Sequence, residues 1–345
     1  MSKKSADKSI KIGLAGCGRI SSQHLSAIRL LKGRIKLMAV CDTDPKRARQ
    51  TALKHRVPFY TDYRDLLKRK DIDLVVVCTP SGLHCPIGLA GARAGKHVLL
   101  EKPLALNLKD GQRLIKTFRQ KKKALMTVMQ VRYNPALVAL KKAVEKGKLG
   151  KIYSATLTLR WSRPQSYFEQ ADWRGKKSLD GGILLNQGIH YIDALLWLLG
   201  EVSAVYGKAD RVAHNNIETE DQVFSLLKFK NRAYGLIEAT LNAYPRNLEC
   251  SIAILGEKGT VKLGGRAINE IEFWEAKNCP KPKIQEKIIP GFAGVSPNHF
   301  FVYQDILDYL QKKKKPFFSG EEALKSIEVI EAIYQSARKN KEIKL

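Results

Sequence analysis

From residue 9 to about 130 the chain alternates short apolar runs with helix-length amphipathic stretches. "SIKIGLAG", "IKLMAVCD", "DLVVVCTP", "HVLLEKP" and "KALMTVMQ" are the runs. They have strand length and read as near-continuous apolar segments, as expected of parallel strands covered on both faces by crossover helices. A doubly wound parallel sheet follows, and with it a rule about function: ligands of open α/β sheets bind outside the carboxyl ends of the strands.

After the helix "YNPALVALKKAVEKGKLG", closed by Gly147 and Gly150, the period changes to two. "KIYSATLTLRW" places Ile152, Ser154, Thr156, Thr158 and Arg160 on one face and Tyr153, Ala155, Leu157, Leu159 and Trp161 on the other. "QVFSLLKFK", "RAYGLIEATL" and "LECSIAILGEKGTVKLGG" continue the pattern, the last as a hairpin turning at Gly256 to Gly259. The expected architecture is α/β: a first domain over 1–131 and an α+β domain over 132–345 with a large, open, mostly antiparallel sheet. Several of these strands are apolar on both faces and few helices remain to cover them, so a second copy of the chain is expected on the open face, as a homodimer or homotetramer. The closing helix, about 320 to 338, carries Ala323, Ile327, Ile330 and Tyr334 on one stripe and is free to pack back on the first domain.

Composition excludes several classes. No run approaches the roughly 18 to 20 apolar residues of a membrane span, and "MSKKSADKSIKIGLAG" passes from a basic tail straight into a strand without an apolar leader, so the expected compartment is the cytoplasm. Cysteines 17, 41, 78, 85, 250 and 279 contain no C-x-x-C pair; reduced thiols filling the core are expected, and no metal. The net charge of +28, from 61 basic and 33 acidic side chains, would suit a nucleic-acid binder. Its distribution argues against one: "KRK" at 68–70, "RQKKK" at 119–123, "KKAVEKGKLGK" at 141–151 and "QKKKK" at 311–315 fall at separate helix ends, without interleaved aromatics to stack bases. Solvated helix faces explain most of this charge, and steering of an anionic substrate the remainder.

In "IKIGLAGCGRISSQH" the first strand ends on Gly16-Cys17-Gly18, with Arg19 and Ile20 leading into a helix and Ser21 at the place of the third glycine of G-x-G-x-x-G. The first glycine permits the tight turn, and the second lets a pyrophosphate approach N–H groups at the helix start. The third only assists helix–strand packing, so serine is tolerated. Asp42 ends the second strand where an acid accepts hydrogen bonds from the adenosine ribose, and its charge would repel a 2′-phosphate, so the expected cofactor is NAD rather than NADP. Lys102 closes "HVLLEKP" at the carboxyl edge of the sheet, and Pro103 restricts it to extended conformations. A solvated charge is the ordinary reading of such a lysine. Rigid placement beside a nicotinamide cofactor favours proton transfer instead. In the second domain Asn186, His190 and Asp193 stand at i, i+4 and i+7, on one face of a predicted helix that follows Gly181-Gly182.

Having "GCGRI", "CTPSGLH", "GKHVLLEKP" and "DGGILLNQGIHYID" in this order, the chain resembles, over nearly its whole length, the glucose–fructose oxidoreductase, inositol dehydrogenase and rhizopine-catabolism family, whose first domain is a Rossmann fold. The resemblance implies that Lys102 is the proton-transfer residue and that position 186 and His190 form the substrate pair of the second domain. Asn186 departs from the family's acid and cannot take a proton, so it is left to orient a hydroxyl or the lysine. Asp193 either holds the imidazole tautomer or caps local backbone. Thr79, Pro80 and His84 are then expected along the nicotinamide, with Glu101 beside the lysine.

"QVRYNPALVALK" and "RWSRPQSYFEQADWRG" are most similar to UDP-N-acetyl-2-amino-2-deoxyglucuronate dehydrogenases, which oxidise C3 of a nucleotide-linked uronic acid. That likeness implies substrate contacts from Arg132, Tyr133, Asn134, Arg163, Trp173 and Arg174. The guanidinium fork fits either a pyrophosphate or a carboxylate. Each arginine is also open to a structural reading, and Trp161 and Trp173 to a core or interface role rather than that of a uracil platform. Two other readings remain: a dehydrogenase of a free sugar or polyol such as inositol, and a non-catalytic NAD(H) or nucleotide-sugar sensor.

Overall fold

The computed structural model describes residues 9–285, 288–292, 297–312, 314, 316 and 318–345. The basic tail at 1–8 and part of the "QKKKK" run lie outside them. The chain divides into two compact units, the first drawn from 1–105, 109–128 and 287–322 and the second from 106–108, 129–286 and 323–345. No helix among the described residues is long and apolar enough to cross a membrane.

The first unit is built on strands β1 (Ile10–Ala15), β2 (Ile35–Cys41), β3 (Phe59–Tyr60), β4 (Leu74–Val77), β5 (His97–Leu100) and β6 (Leu125–Thr127), in the order β3-β2-β1-β4-β5-β6. All pairings are parallel. The strand order reverses between β1 and β4, so the crevice of the switch point opens at the end of β1. Helices α1 (Ser21–Leu30), α2 (Pro45–His55), α3 (Tyr63–Lys68), α4 (His84–Arg93) and α5 (Leu108–Gln120) make the connections. Local chemistry sets their ends: Asp44 caps α2 by accepting from the Lys46 and Arg47 N–H groups, and Pro45 occupies the first turn. Every side chain of β4 is buried, as its unbroken "LVVV" requires. Phe59 and Tyr60 pair too briefly for any period to show in the sequence.

The second unit opens with α6 (Pro135–Glu145), which ends before Gly147 and Gly150. It continues through β7 (Ile152–Arg160), α7 (Gln165–Glu169), α8 (Ile189–Leu199), β8 (Val202–Asp210), β9 (Gln222–Phe229), β10 (Tyr234–Thr240), β11 (Glu249–Gly256), β12 (Gly259–Gly264) and β13 (Glu270–Ala276). Helix α9 (Asn298–Lys312) returns to the first unit, and α10 (Gly320–Lys339) and β14 (Ile343–Lys344) close the chain. The sheet runs β13-β12-β11-β7-β10-β9-β8-β14 and is antiparallel except for β7 beside β10. The hairpin turns where expected, Gly256 opposite Gly259.

Alternate residues of these strands point inward, among them Leu157, Leu227, Ile237 and Ile252, all buried. Helix α8 lies deep in this unit, with every residue but Trp197 buried. The opposite face is open. One register row crosses it as Tyr206, Leu226, Leu236, Thr156, Ala253, Lys262 and Phe273. Its four large apolar members are each 39% to 47% exposed.

Ahead of α8 the chain makes a π-helical turn, Leu184–Gly188, entered through Gly181 and Gly182 at φ +85° and +98°. Position 182 needs glycine twice over, for its left-handed φ and because a side chain there would run into the Glu220 carboxylate. That carboxylate accepts from the Ile183 N–H at 2.8 Å and from the Tyr334 hydroxyl. Burial pushes its pKa up, to about 7 against an ordinary 4.5, despite these two donors.

A raised pKa has a stability consequence. Below about 4.5 Glu220 is neutral in both folded and unfolded chains; from there to about 7 the unfolded chain ionises while the fold keeps its proton, so stability falls as pH rises and the loss is complete above about 7. Glu220→Gln can accept the same two hydrogen bonds without ionising. Urea denaturation should find the variant close to wild type at pH 4.5 and more stable at pH 8, by up to about 3 kcal/mol. A difference that does not change between the two pH values would contradict this account.

Candidate active site

The cofactor-binding features lie in the first unit. Gly16 follows β1 at φ +96°, and a side chain there would meet the Cys78 carbonyl, so glycine is required for the close approach of the β1 and β4 ends. Gly18 has the opposite property: a Cβ on it would have nothing within 4 Å. Open space therefore lies over the peptide that leads into α1, whose first turn carries no acid. Ser21 uses its hydroxyl on the Gly18 carbonyl, at 2.7 Å, and is itself buried, which explains why serine serves at the third position. Arg19 is exposed and Ile20 half-buried between them. Asp42, just past β2, accepts from the Cys17 N–H at 2.7 Å and the Asp44 N–H at 2.9 Å, with Arg47 at 3.7 Å. A carboxylate offers about four acceptor positions, so capacity remains for ribose hydroxyls.

Beyond β4, Thr79 Oγ1 is buried without a hydrogen-bond partner among the described residues, and Pro80 is half-buried beside it. An orphaned hydroxyl, an open glycine peptide at a helix start and a carboxylate at the end of β2 together fit a dinucleotide. When bound, NAD supplies the hydride acceptor at nicotinamide C4.

His84, expected along the nicotinamide, is 1% exposed, with Nδ1 2.7 Å from the Pro103 carbonyl and Nε2 3.0 Å from that of Thr79. Glu101 is likewise interior: Oε1 lies 2.8 Å from His24 Nε2 and 3.4 Å from His299 Nε2, and Oε2 accepts from the Lys102 N–H at 3.2 Å. Burial alone would raise its pKa, but the hydrogen bonds from His24 and His299 outweigh that and hold the carboxyl well below the usual range. Lys102 is half-buried immediately after β5.

The substrate-type residues lie in the second unit. Asn186 sits within the π-helical turn and donates to Asp180, whose other oxygen accepts from the Gly175 N–H at 2.7 Å. His190 opens α8, buried, with the Gln130 side-chain amide 3.2 Å from Nε2. Among the described residues Asp193 neither holds this imidazole nor caps backbone. Both its oxygens pair with Arg132, Nε and Nη2 each at 2.7 Å, and Ser326 adds a 3.4 Å contact. Arg132, expected to meet an anion, is 6% exposed and makes this buried bidentate pair. Asn134 is 6% exposed and donates to the Ala267 carbonyl at 2.7 Å, while Tyr133 is half-buried.

The other two arginines differ. Arg163 lies over the rings of Trp161 (4.7 Å) and Tyr167 (5.2 Å), and Arg174 over Tyr167 (4.0 Å) and Trp173 (5.6 Å). The result is a ladder of alternating rings and guanidiniums. Among the described residues neither cation has a carboxylate partner; their hydrogen bonds go to carbonyl and amide oxygens of Ser162, Asn247, Tyr167 and Gln170. Burial lowers the pKa of Arg163, which marks a cation short of compensation. Trp161 and Asn247 also border an open cavity of about 510 Å³, with Arg246 and Arg266 on its wall. Sequence reasoning missed His24, His299, Gln130, Asp180 and Glu220. Only Asp180 carried a signal, as the acid directly before Gly181-Gly182.

Residues 10–129 match the oxidoreductase family GFO/IDH/MocA, NAD-binding Rossmann fold, and residues 141–345 match its C-terminal alpha/beta domain. Among solved structures, the WlbA dehydrogenase of Bordetella pertussis, described as a complex with NADH and UDP-GlcNAcA, is 39% identical with a TM-score of 0.89, over 98% of this chain and 99% of that one. The WlbA dehydrogenase of Chromobacterium violaceum, in a complex of the same description, is 37% identical with a TM-score of 0.91, over 98% and 96%. The myo-inositol 2-dehydrogenase of Thermotoga maritima is 30% identical over 262 residues, 73% of this chain and 74% of that protein. With both of its domains matched and the dinucleotide features in place, this chain belongs to the GFO/IDH/MocA oxidoreductase family, as an NAD-dependent enzyme acting on sugar or polyol hydroxyl groups.

Proposed function

We propose that the protein oxidises a ring hydroxyl, at C3, of a UDP-linked N-acetylated hexuronate. The C–H hydride passes to NAD and the hydroxyl proton to Lys102, leaving a ketone and NADH. His190 and Asn186 orient the sugar; the amide takes no proton, so Lys102 or His190 carries the acid/base work. The observation that carries this reading over a free polyol is the ladder from Trp161 to Trp173, which keeps two arginines without carboxylate partners among the described residues. A diphosphate or uronate is the chemistry that answers two such cations. The WlbA structures described with UDP-GlcNAcA support the same substrate class. The inositol dehydrogenase relative favours the alternative, a free polyol. Six free thiols suit a reaction in the reducing cytoplasm.

In a spectrophotometric assay with NAD and a panel of UDP-sugars and free polyols, UDP-N-acetylglucosaminuronic acid or a close UDP-uronate should give the fastest reduction, because remote binding energy from the diphosphate aligns the reacting carbon. Adding a 2-oxo acid covers the case in which NADH stays bound. Lys102→Met should lower turnover by about 10² to 10⁴ while NAD binding is nearly unchanged. Faster oxidation of inositol than of any UDP-uronate would transfer the assignment to the free-polyol enzymes, and wild-type turnover by the variant would remove the lysine from the mechanism.

We also assign the open sheet face to a second copy of this chain. Tyr206, Leu226, Leu236 and Phe273 lie in one row across it, and an apolar row of this extent is unfavourable in water. Beside the row Arg160 binds Glu238 at 2.6 Å and Glu249 at 3.1 Å, and within it Lys262 binds Glu249 and Glu272 at 3.1 and 3.0 Å, ion pairs that would fix register. Light scattering should find a dimer or tetramer, and Leu226→Glu with Leu236→Glu should give monomers with unchanged circular dichroism. A wild-type monomer at micromolar concentration would exclude the assignment.

A further inference from the structure

Lys102 is flanked by two buried histidine contacts. On its N-terminal side Glu101 meets His24, and His24 Nδ1 lies 2.9 Å from the Tyr303 hydroxyl. On its C-terminal side the Pro103 carbonyl meets His84, which also reaches Thr79. Proton positions in the first arm follow from its chemistry. An ionised Glu101 can only accept, so His24 carries its proton on Nε2; burial keeps His24 neutral, so Nδ1 accepts, and Tyr303 must donate to it. His24 and Tyr303 are both fully buried. In the second arm both acceptors of His84 are carbonyl oxygens, so a neutral ring donates one hydrogen bond, to Pro103 or to Thr79.

We propose that these two arms are positioning devices for the reaction: Tyr303, His24 and Glu101 on one side and His84 on the other fix the backbone of Lys102, and so the place of its amine. The inference rests on Lys102 being the proton-transfer residue. None of the four touches substrate by this account; they act through the lysine. A displacement of even 1 Å at such a group is worth about 10² in rate, so fixing the backbone on both sides has a measurable purpose.

The first arm also has the composition of a metal site. His24, Glu101 and His299 are the group of three ligand-type side chains among the described residues with donor atoms within 4.8 Å of one another. Geometry argues for hydrogen bonding. Ligands bound tetrahedrally at about 2.0 to 2.1 Å stand roughly 3.3 Å apart, whereas His24 Nε2 and Glu101 Oε1 are at 2.8 Å. An ion would also take the Nε2 lone pair, move the imidazole proton to Nδ1 and reverse the bond to Tyr303.

The test uses NAD-loaded protein and the sugar that reduces NAD fastest. Glu101→Gln and His24→Leu should lower kcat about 10- to 100-fold with KM for sugar and Kd for NAD within about threefold. His24→Gln, whose amide reaches the place of Nε2, should recover at least a third of the wild-type kcat. Tyr303→Phe removes one hydroxyl and keeps the fold; it should lower kcat by about threefold to tenfold, and it decides the matter if the other variants do not fold. Lys102→Met runs in the same assay. If it turns over normally, the lysine reading fails. If it is slow while folded Glu101, His24 and Tyr303 variants keep wild-type kcat, the positioning proposal alone fails. A variant that loses thermal stability while kcat per NAD-binding site stays normal would assign these residues to folding only. Stoichiometric zinc in the purified protein, removed by chelator together with activity, would replace the proposal with a metal site.

Discussion

An ionised carboxylate inside a protein costs several kcal/mol unless donors surround it, and Glu101 is given three: the side chains of His24 and His299 and the backbone N–H of Lys102. Much of the first unit is organised around that requirement. His24 must come from the inner face of α1, so the helix following the glycine turn has its rotation set. His299 and Tyr303 come from α9, some 198 and 202 residues further along than Glu101, so the chain has to return to this unit after building seven of the eight strands of the second sheet. The same helix start that presents open peptide groups over Gly18 is thus braced from beneath by the acid that precedes the lysine.

The second unit handles charge in two ways. Arg132 and Asp193 neutralise each other inside it, and removal of either partner would leave a buried ion at a cost of about 3 to 5 kcal/mol. Arg163 and Arg174 are left with ring faces and carbonyl oxygens instead. A cation over aromatic rings is stabilised by about 0.5 to 2 kcal/mol, less than a desolvated carboxylate would give, so the pair remains receptive to an anion. The large net charge of the chain is a different matter. Lys68, Lys121 and Lys122 are exposed beyond or near helix ends, as solvated charges should be.

How much was legible beforehand depended on the range of the interaction. Strands β1, β2, β4 and β5 announce themselves as near-continuous apolar runs, and the β11–β12 hairpin by its glycines, because period and turn chemistry are local. Gly16, Gly18 and Asp42 were readable for the same reason, each role being set within one βαβ unit. The fate of Arg132 was not. An arginine bound to substrate and one bound to Asp193 look alike in sequence, and only the packing of α8 against the turn at Gln130–Tyr133 tells them apart. The helical spacing of Asn186, His190 and Asp193 was read as one face, but the π-helical turn at Leu184–Gly188 breaks that register, and Asn186 turns to Asp180. His24 and His299 carry no period and no motif of their own; their meaning lies wholly in a contact across the length of the chain.

The claim on which the account of the site depends is the charge state beneath Lys102, and nitrogen NMR of the histidine side chains together with carbon NMR of the glutamate carboxyls reads it directly. His24 should appear as a neutral ring protonated at Nε2 throughout the neutral pH range, and Glu101 as a carboxylate that stays ionised well below the pH at which ordinary glutamates take up a proton. An imidazolium at His24 at neutral pH, a ring protonated at Nδ1, or a protonated Glu101 would contradict it.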